Sequence, residues 1–323
     1  MTAPTDDFPL PPSAHAALRG ATCLITGGAG FIGSHLAHAL LARQARVRVI
    51  DDLSGGFEQN LPAGVEFIRA SVLDEAELAR ASRDATYVFH HAAMVSVPQS
   101  VELPLECVRI NIEGTQRVID AARLANVKRV IFASSAAAYG NHPTLPSRED
   151  HPADPWSHYA TSKLAGEMLM LTGSRCFGLS TVSLRYFNIF GTRQNPLSPY
   201  AAVISRFAHD LRHGVKPTIF GDGLQTRDFA HVGNVVLANL LAATSERSLA
   251  GEVLNIGTGV QTSLREALEQ IARVLKVEAQ FERAVARPGD IRDSLADISR
   301  ARQILGYEPM IDFAIGLQRT LTT

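Results

Sequence analysis

Cysteine is scarce in this 323-residue chain, and Cys23, Cys107 and Cys176 are odd in number, far apart and without a CxxC pair. That argues against a disulfide framework or a cysteine zinc site and fits packing residues in a reducing cytoplasm. An excess of one charge is lacking too. Lys plus Arg number 31 against 32 Asp plus Glu, a net charge of -1, and no run of either sign marks a nucleic-acid or membrane surface. No apolar stretch nears the roughly 18 residues that cross a bilayer, and no charged start leads into an apolar run as an export signal would. A soluble cytoplasmic protein is expected, catching any anionic ligand with a few local residues. The 46% hydrophobic content is ample for a core, in one large unit or two coupled lobes.

Residues 1–19, with prolines at 4, 9, 11 and 12, show no strand or helix period and read as a flexible extension. From Ala21 to about Arg185 short β-branched or apolar runs alternate with helical stretches, the pattern of a parallel sheet covered on both faces. Strands are expected at 22–26, 46–51, 65–69, 86–90, 128–134 and 179–186, and helices at 31–43, 74–83, 105–125 and 157–177. The class is a doubly wound α/β sheet. Beyond Arg185 the chain is richer in loops, with shorter helices near 201–213 and 263–275, as a smaller second lobe requires. A helix at 232–246 and a strand at 252–256 return to the style of the main sheet, so the chain is expected to cross between lobes more than once.

The first strand runs into Gly27, Gly30 and Gly33, spaced GxxGxxG, and then into an apolar-periodic helix. Glycine lets a dinucleotide diphosphate approach such a turn, and the helix start offers it unpaired N–H groups. Glycines cluster in any tight turn, but here the next strand ends about twenty residues on in Asp51 and Asp52. An acid there accepts from both adenosine ribose hydroxyls and repels a 2'-phosphate, which favours NAD over NADP. Asp51 is the stronger candidate, since Asp52 fits equally a turn before Gly55 and Gly56.

Tyr159 and Lys163, at i and i+4, share one face of the helix expected from 157. A phenol is a poor base at neutral pH, and a nearby ammonium brings its pKa toward the working range. Alone, such a pair is common on surfaces. Its weight comes from Ser134 and Ser135, one βα unit upstream at the carboxyl end of a strand, where ligands bind in open α/β sheets. A serine there can hold the substrate hydroxyl that Tyr159 deprotonates, or can serve only the turn.

TGGAGFIG at 26–33, SSAAAYG at 134–140, YATSK at 159–163 and LRYFNIFG at 184–191 together resemble the extended short-chain dehydrogenase/reductase family. RQNPLSPYAAVI at 193–204, FGDGLQTRDFAHV at 220–232 and PGDIRDSLADISRA at 288–301 narrow the resemblance to UDP-hexose 4-epimerases, in particular the bacterial UDP-N-acetylglucosamine 4-epimerases. The resemblance implies a Rossmann-like NAD-binding domain over 20–187 and 231–257 and a smaller α/β domain for the UDP-sugar over 188–230 and 258–323. It makes Tyr159 the acid/base, Lys163 its tuner and a ligand of the nicotinamide ribose, and Ser135 the O4 partner. It places Gly27, Gly30, Phe31, Ile32, Gly33, Asp51, Asp52, Val72, Ala92, Asn111, Ser134 and Tyr186 at the cofactor. Asn188, Arg227, Arg287, Asp290 and Ser294 go to the sugar nucleotide. A guanidinium fork suits a diphosphate, although Arg227 alone fits an exposed ion pair as well, and Asn111 alone fits a cap.

The chain departs from relatives at Ser71, where an acid usually reads adenine. Ala136 and Ala137 replace the acid of relatives that dehydrate or decarboxylate the sugar, and some N-acetyl-preferring relatives carry serines in that stretch. The implied chemistry stops at oxidation and re-reduction of C4 through a 4-keto sugar. Small Ser294 admits an acetamido group, so UDP-GlcNAc and UDP-GalNAc come first, with UDP-Glc and UDP-Gal also accepted. UDP-glucuronate is disfavoured by Asn195, where uronate-specific relatives carry arginine, although Arg193 lies nearby. Alternatives are a dehydratase or decarboxylase and a non-catalytic NAD-binding regulator. His90 and His91 read as packing at the cofactor wall rather than metal ligands. A homodimer through 105–125 and 157–177 is implied, with no nucleic-acid or membrane partner.

Overall fold

A computed structural model describes residues 10–141, 144–195, 202–286 and 291–322. In chain order the strands are β1 Thr22–Thr26, β2 Arg46–Asp51, β3 Glu66–Arg69, β4 Tyr87–His90, β5 Arg129–Ser135, β6 Thr181–Tyr186, β7 Asn188–Phe190, β8 Thr218–Phe220, β9 Thr226–Arg227, β10 Phe229–His231, β11 Ala250–Ile256, β12 Thr262–Ser263 and β13 Glu282–Ala284. The helices are α1 Pro12–Leu18, α2 Phe31–Ala42, α3 Glu75–Ser82, α4 Val97–Glu102, α5 Pro104–Val108, α6 Gly114–Leu124, α7 His158–Phe177, α8 Val203–Arg212, α9 Val232–Thr244, α10 Leu264–Leu275, α11 Ser299–Leu305 and α12 Phe313–Leu321.

Seven parallel strands form the main sheet in the order β11-β6-β5-β4-β1-β2-β3. The order reverses direction between β1 and β4, which opens a crevice at their carboxyl ends, the ligand position in such sheets. Successive strand residues face opposite layers. Cys23 and Ile25 pack with Leu36, Leu40, Val235 and Leu240 on the side of α2 and α9. Leu24, Val130 and Phe132 pack with Leu78, Val118 and Met170 on the side of α3, α6 and α7. A third cluster, including Phe207, Ile219, Phe229, Leu268 and Leu317, lies off the sheet under α8, α10 and α12. The helix boundaries follow local chemistry. Ser157 caps α7 by accepting from the Ala160 nitrogen, and α7 ends at left-handed Gly178, while Ser263 and Glu266 form a capping box on α10.

Three sequence expectations are corrected. The extension expected to lack structure holds a helix, because Pro12 is compatible with a first helical position and Leu10, Ala14 and Leu18 make a stripe that buries itself in the core. The helix expected over 105–125 is interrupted by a π-helical turn at Arg109–Glu113, where the buried Asn111 side chain is drawn inward. Cys176 is exposed, unlike the packed Cys23 and Cys107. The expected main-sheet strands form within two residues of their predicted ends. Among the described residues no helix is long and apolar enough to cross a membrane.

Candidate active site

The turn after β1 is shaped by close backbone approach. Gly27 has φ +71°, and a Cβ there would stand 2.6 Å from the Ala92 nitrogen. A Cβ on Gly33 would run into the Gly27 carbonyl, so α2 packs tightly against the turn. Gly30 begins α2 with no side-chain cap, leaving the N–H groups of its first turn, at Phe31 and Ile32, to an anion. Asp51 is buried at the end of β2. One carboxylate oxygen accepts from the Ala29 nitrogen at 2.9 Å and the other from the Leu53 nitrogen at 2.8 Å. Burial raises its pKa, and these two N–H groups work against that rise. Each oxygen retains a lone pair for a ribose hydroxyl. Asp52 accepts from the Ser54 nitrogen, as a turn residue does. A bare glycine turn, an uncapped helix start and a carboxylate beside them fit an NAD diphosphate and ribose.

The floor of the crevice is neutral. His90 is bonded to Thr26 at 2.7 Å and Thr115 at 2.9 Å, and desolvation holds its pKa well below the usual range. Thr26 Oγ1 accepts from the Ala92 nitrogen. His91, lowered to about 4 by burial, is 3.2 Å from the Tyr186 hydroxyl. Val72 is buried against Gly114. Asn111 donates to the Met94 carbonyl and Ser162 Oγ and accepts from the Met94 nitrogen, so its amide ties the helix to the loop after β4 and to α7.

Opposite this turn, α7 carries Tyr159 and Lys163. The Tyr159 nitrogen donates to Ser100 Oγ, which fixes the start of the helix. Desolvation raises the Tyr159 pKa, and the neighbouring Ser135 side chain works against that rise. Lys163 is buried, donates to the Ala133 carbonyl at 2.7 Å and lies 5.8 Å from the centre of the Tyr159 ring. Its own pKa is pushed down to about 8 by desolvation. Ser135 stands opposite Tyr186 in the β5–β6 register. Ser134 is buried beneath, its hydroxyl donating to Glu167.

On the substrate side Asn188 opens β7, its nitrogen donating to the Asp228 carbonyl. Arg227 donates to the main-chain oxygens of Thr226 and Arg292. Ser294 borders a cleft with Ala136, Tyr139, Ser147 and Phe187, and its nitrogen bonds the Thr226 carbonyl. Arg287 and Asp290 lie outside the described residues. Arg193 turns toward α2, 3.4 Å from Ser34 Oγ.

Sequence reasoning missed Asp228, a fully buried carboxylate accepting from the Thr258 nitrogen and hydroxyl and the nitrogens of Gly259 and Ala296. It knots together the segments that carry Arg227, Asn188 and Ser294. It also missed the buried pair of Glu167 and Arg185. An arginine inside an apolar strand run was the available signal.

A parallel sheet with a GxxGxxG turn at its switch point, an acid closing the second strand, and Ser, Tyr and Lys converging on the crevice define a nicotinamide-dependent enzyme of the short-chain dehydrogenase/reductase type. The chain belongs to the NAD dependent epimerase/dehydratase family, whose family model matches residues 23–257. It is 38% identical to the UDP-glucose 4-epimerase of Mycolicibacterium smegmatis, over 92% of this chain and 96% of that one. It is 33% identical to a UDP-N-acetyl-alpha-D-glucosaminuronate decarboxylase of Bacillus cytotoxicus, over 93% and 96%. A solved UDP-N-acetylglucosamine 4-epimerase from Methanobrevibacter ruminantium, in complex with UDP-N-acetylmuramic acid, superposes with a TM-score of 0.90 at 38% identity, covering 94% of this chain and 98% of that one.

Proposed function

We propose that this protein inverts C4 of a UDP-hexose, with UDP-GlcNAc and UDP-GalNAc as favoured substrates. The observation that carries the reading is Ser135, Tyr159 and Lys163 gathered at the carboxyl edge of the sheet with Ala136 and Ala137 beside them. Tyr159 takes the O4 proton, Ser135 holds O4, and the Lys163 ammonium steadies the phenolate. The Gly27 to Gly33 turn and Asp51 would hold NAD, which when bound would supply the hydride acceptor and donor for C4. Alanines at 136 and 137 offer no acid/base for eliminating water or CO2. In this reading 20–187 with 231–257 hold the cofactor, and 188–230 with 258–323 grip the nucleotide, Arg227, Arg287 and Asp290 among them, so the sugar turns without leaving.

The test is incubation without added reductant, separately with UDP-GlcNAc, UDP-Glc and UDP-glucuronate, resolving C4 epimers by chromatography and mass. Interconversion at unchanged mass supports the reading, and a lighter product returns the dehydratase or decarboxylase alternative. Ser294→Tyr narrows the cleft beside Tyr139 and Phe187. It is expected to raise KM for UDP-GlcNAc roughly tenfold or more, about 1.4 kcal/mol, with UDP-Glc little changed. Equal effects on both sugars would remove Ser294 from the specificity argument.

We infer also that the active species is a homodimer joined through α5, α6 and α7. Val101, Leu105, Val108 and Met168 are exposed on or beside these helices, an apolar surface of the kind that marks association. Leu105→Glu is expected to convert the dimer to monomer by light scattering, and an unchanged mass would redirect the interface elsewhere.

A further inference from the structure

Helix α7 grips the end of β5 at three points four residues apart. Tyr159 lies beside the Ser135 side chain, which works against the rise of its pKa, Lys163 donates to the Ala133 carbonyl, and Glu167 accepts from Ser134 Oγ. The spacing places all three on one helix face. The first two belong to the proposed chemistry, while the third lies beneath it. Glu167 is fully buried and held from its other side by Arg185, whose Nε and one terminal nitrogen each donate to a different carboxylate oxygen at 2.8 Å. Arg185 stands opposite Ser134 in the register, one rung before Ser135 and Tyr186. Its guanidinium lies 4.6 Å from the centre of the Tyr139 ring. Tyr139 borders the substrate cleft and donates to Asn255, whose side chain donates in turn to the carbonyls of Ser147 and Asp297.

A buried ion pair is a weak source of stability, because desolvation of both charges offsets their attraction, and an apolar pair of like volume often serves as well. What an apolar pair lacks is direction. A bidentate fork fixes two groups in one plane and at one separation, and here it joins α7, β5 and β6 where the acid/base residue and its partner serine must meet. We propose that the Glu167–Arg185 pair, through Ser134, is a positioning device that sets Ser135 against Tyr159 and seats Tyr139 at the substrate cleft. It rests on the proposed roles of Ser135 and Tyr159.

The test compares wild type, Ser134→Ala and the double variant Glu167→Leu with Arg185→Met, all loaded with NAD. The double variant is expected to keep NAD affinity and KM within about twofold and to unfold at no lower urea concentration, yet to lose roughly 10- to 100-fold in kcat. Ser134→Ala is expected to lose about 3- to 10-fold. A second readout is independent of turnover. Tyr159 ionisation, followed by tyrosinate absorbance as the difference from a Tyr159→Phe control, is expected to move up by about half a pH unit or more in both variants as Ser135 is freed to move away from the phenol. Among the described residues, Lys163, 5.8 Å from the ring centre, and Cys107 are the other titratable groups near Tyr159, and both variants leave them in place. Folded variants with wild-type kcat and wild-type Tyr159 titration overturn the proposal. If the double variant does not fold, Ser134→Ala decides by the same two measurements. A wild type that titrates as expected but converts no UDP-sugar refutes the function and leaves the positioning to the absorbance result.

Discussion

Replacing Tyr159 with phenylalanine is expected to lower kcat roughly a thousandfold while the protein still binds NAD and the UDP-sugar. The ring keeps its place, since the start of α7 is held by main-chain and serine contacts, with the Tyr159 nitrogen on Ser100 and the Ala160 nitrogen on Ser157. Only the hydroxyl that, in the proposed function, moves the O4 proton is removed, and a general acid/base group contributes about 10²- to 10⁴-fold. The measurement is steady-state epimerisation alongside calorimetric titration of NAD. Turnover preserved to within a few-fold would assign proton transfer to another group. A regulator that only binds the dinucleotide would show no turnover in either protein.

Lys163→Met is expected to abolish most activity and, unusually for a buried site, to stabilise the NAD-free protein at neutral pH. In an unfolded chain a lysine keeps its proton to about 10.4, but inside the fold Lys163 keeps it only to about 8, because burial disfavours the ammonium. Below pH 8 the folded state bears the whole cost of that charge, about 3 kcal/mol at 1.36 kcal/mol per unit. Between pH 8 and 10.5 the folded protein releases the proton before the unfolded chain does, so stability rises with pH and the cost fades. The methionine variant, which also forgoes the bond to the Ala133 carbonyl, is therefore expected to gain about 1–3 kcal/mol in urea unfolding at pH 7, with the gain shrinking toward pH 10.5. A variant less stable than wild type at pH 7 would show that the carbonyl and neighbouring dipoles compensate the charge in full.

What was legible in the sequence was short-range. The glycine turn, the acid at the end of β2 and the i, i+4 pair of Tyr159 and Lys163 lie within single supersecondary units, where spacing fixes geometry. Helix α1 was missed, because the prolines at 9, 11 and 12 read as breakers and outweighed the four-residue spacing of Leu10, Ala14 and Leu18. Glu167 with Arg185, and Asp228 with Ala296, are pairings that only the folded sheet and lobes bring about. The π-helical turn at Arg109–Glu113 likewise accompanies bonds from Asn111 to Met94 and Ser162, neither of which periodicity can show.

The path of the chain after β6 bears on how such an enzyme changes its preferences over descent. β7 leaves the main sheet to pair with β10, α9 and β11 return to it, and α10 and α12 leave again. Asn188 and Arg227 thus come from one excursion off the main sheet and Ser294 from a later one, cross-linked by main-chain bonds among residues 188, 226, 228, 292 and 294. Under the proposed function, no contiguous described segment carries all three recognition residues as a cassette. Shuffling 188–230 between relatives would exchange one side of those cross-links without the other, whereas single replacements at positions such as 136 or 294 leave both sides in place, so under the proposed function new sugar preferences are open to this architecture one codon at a time.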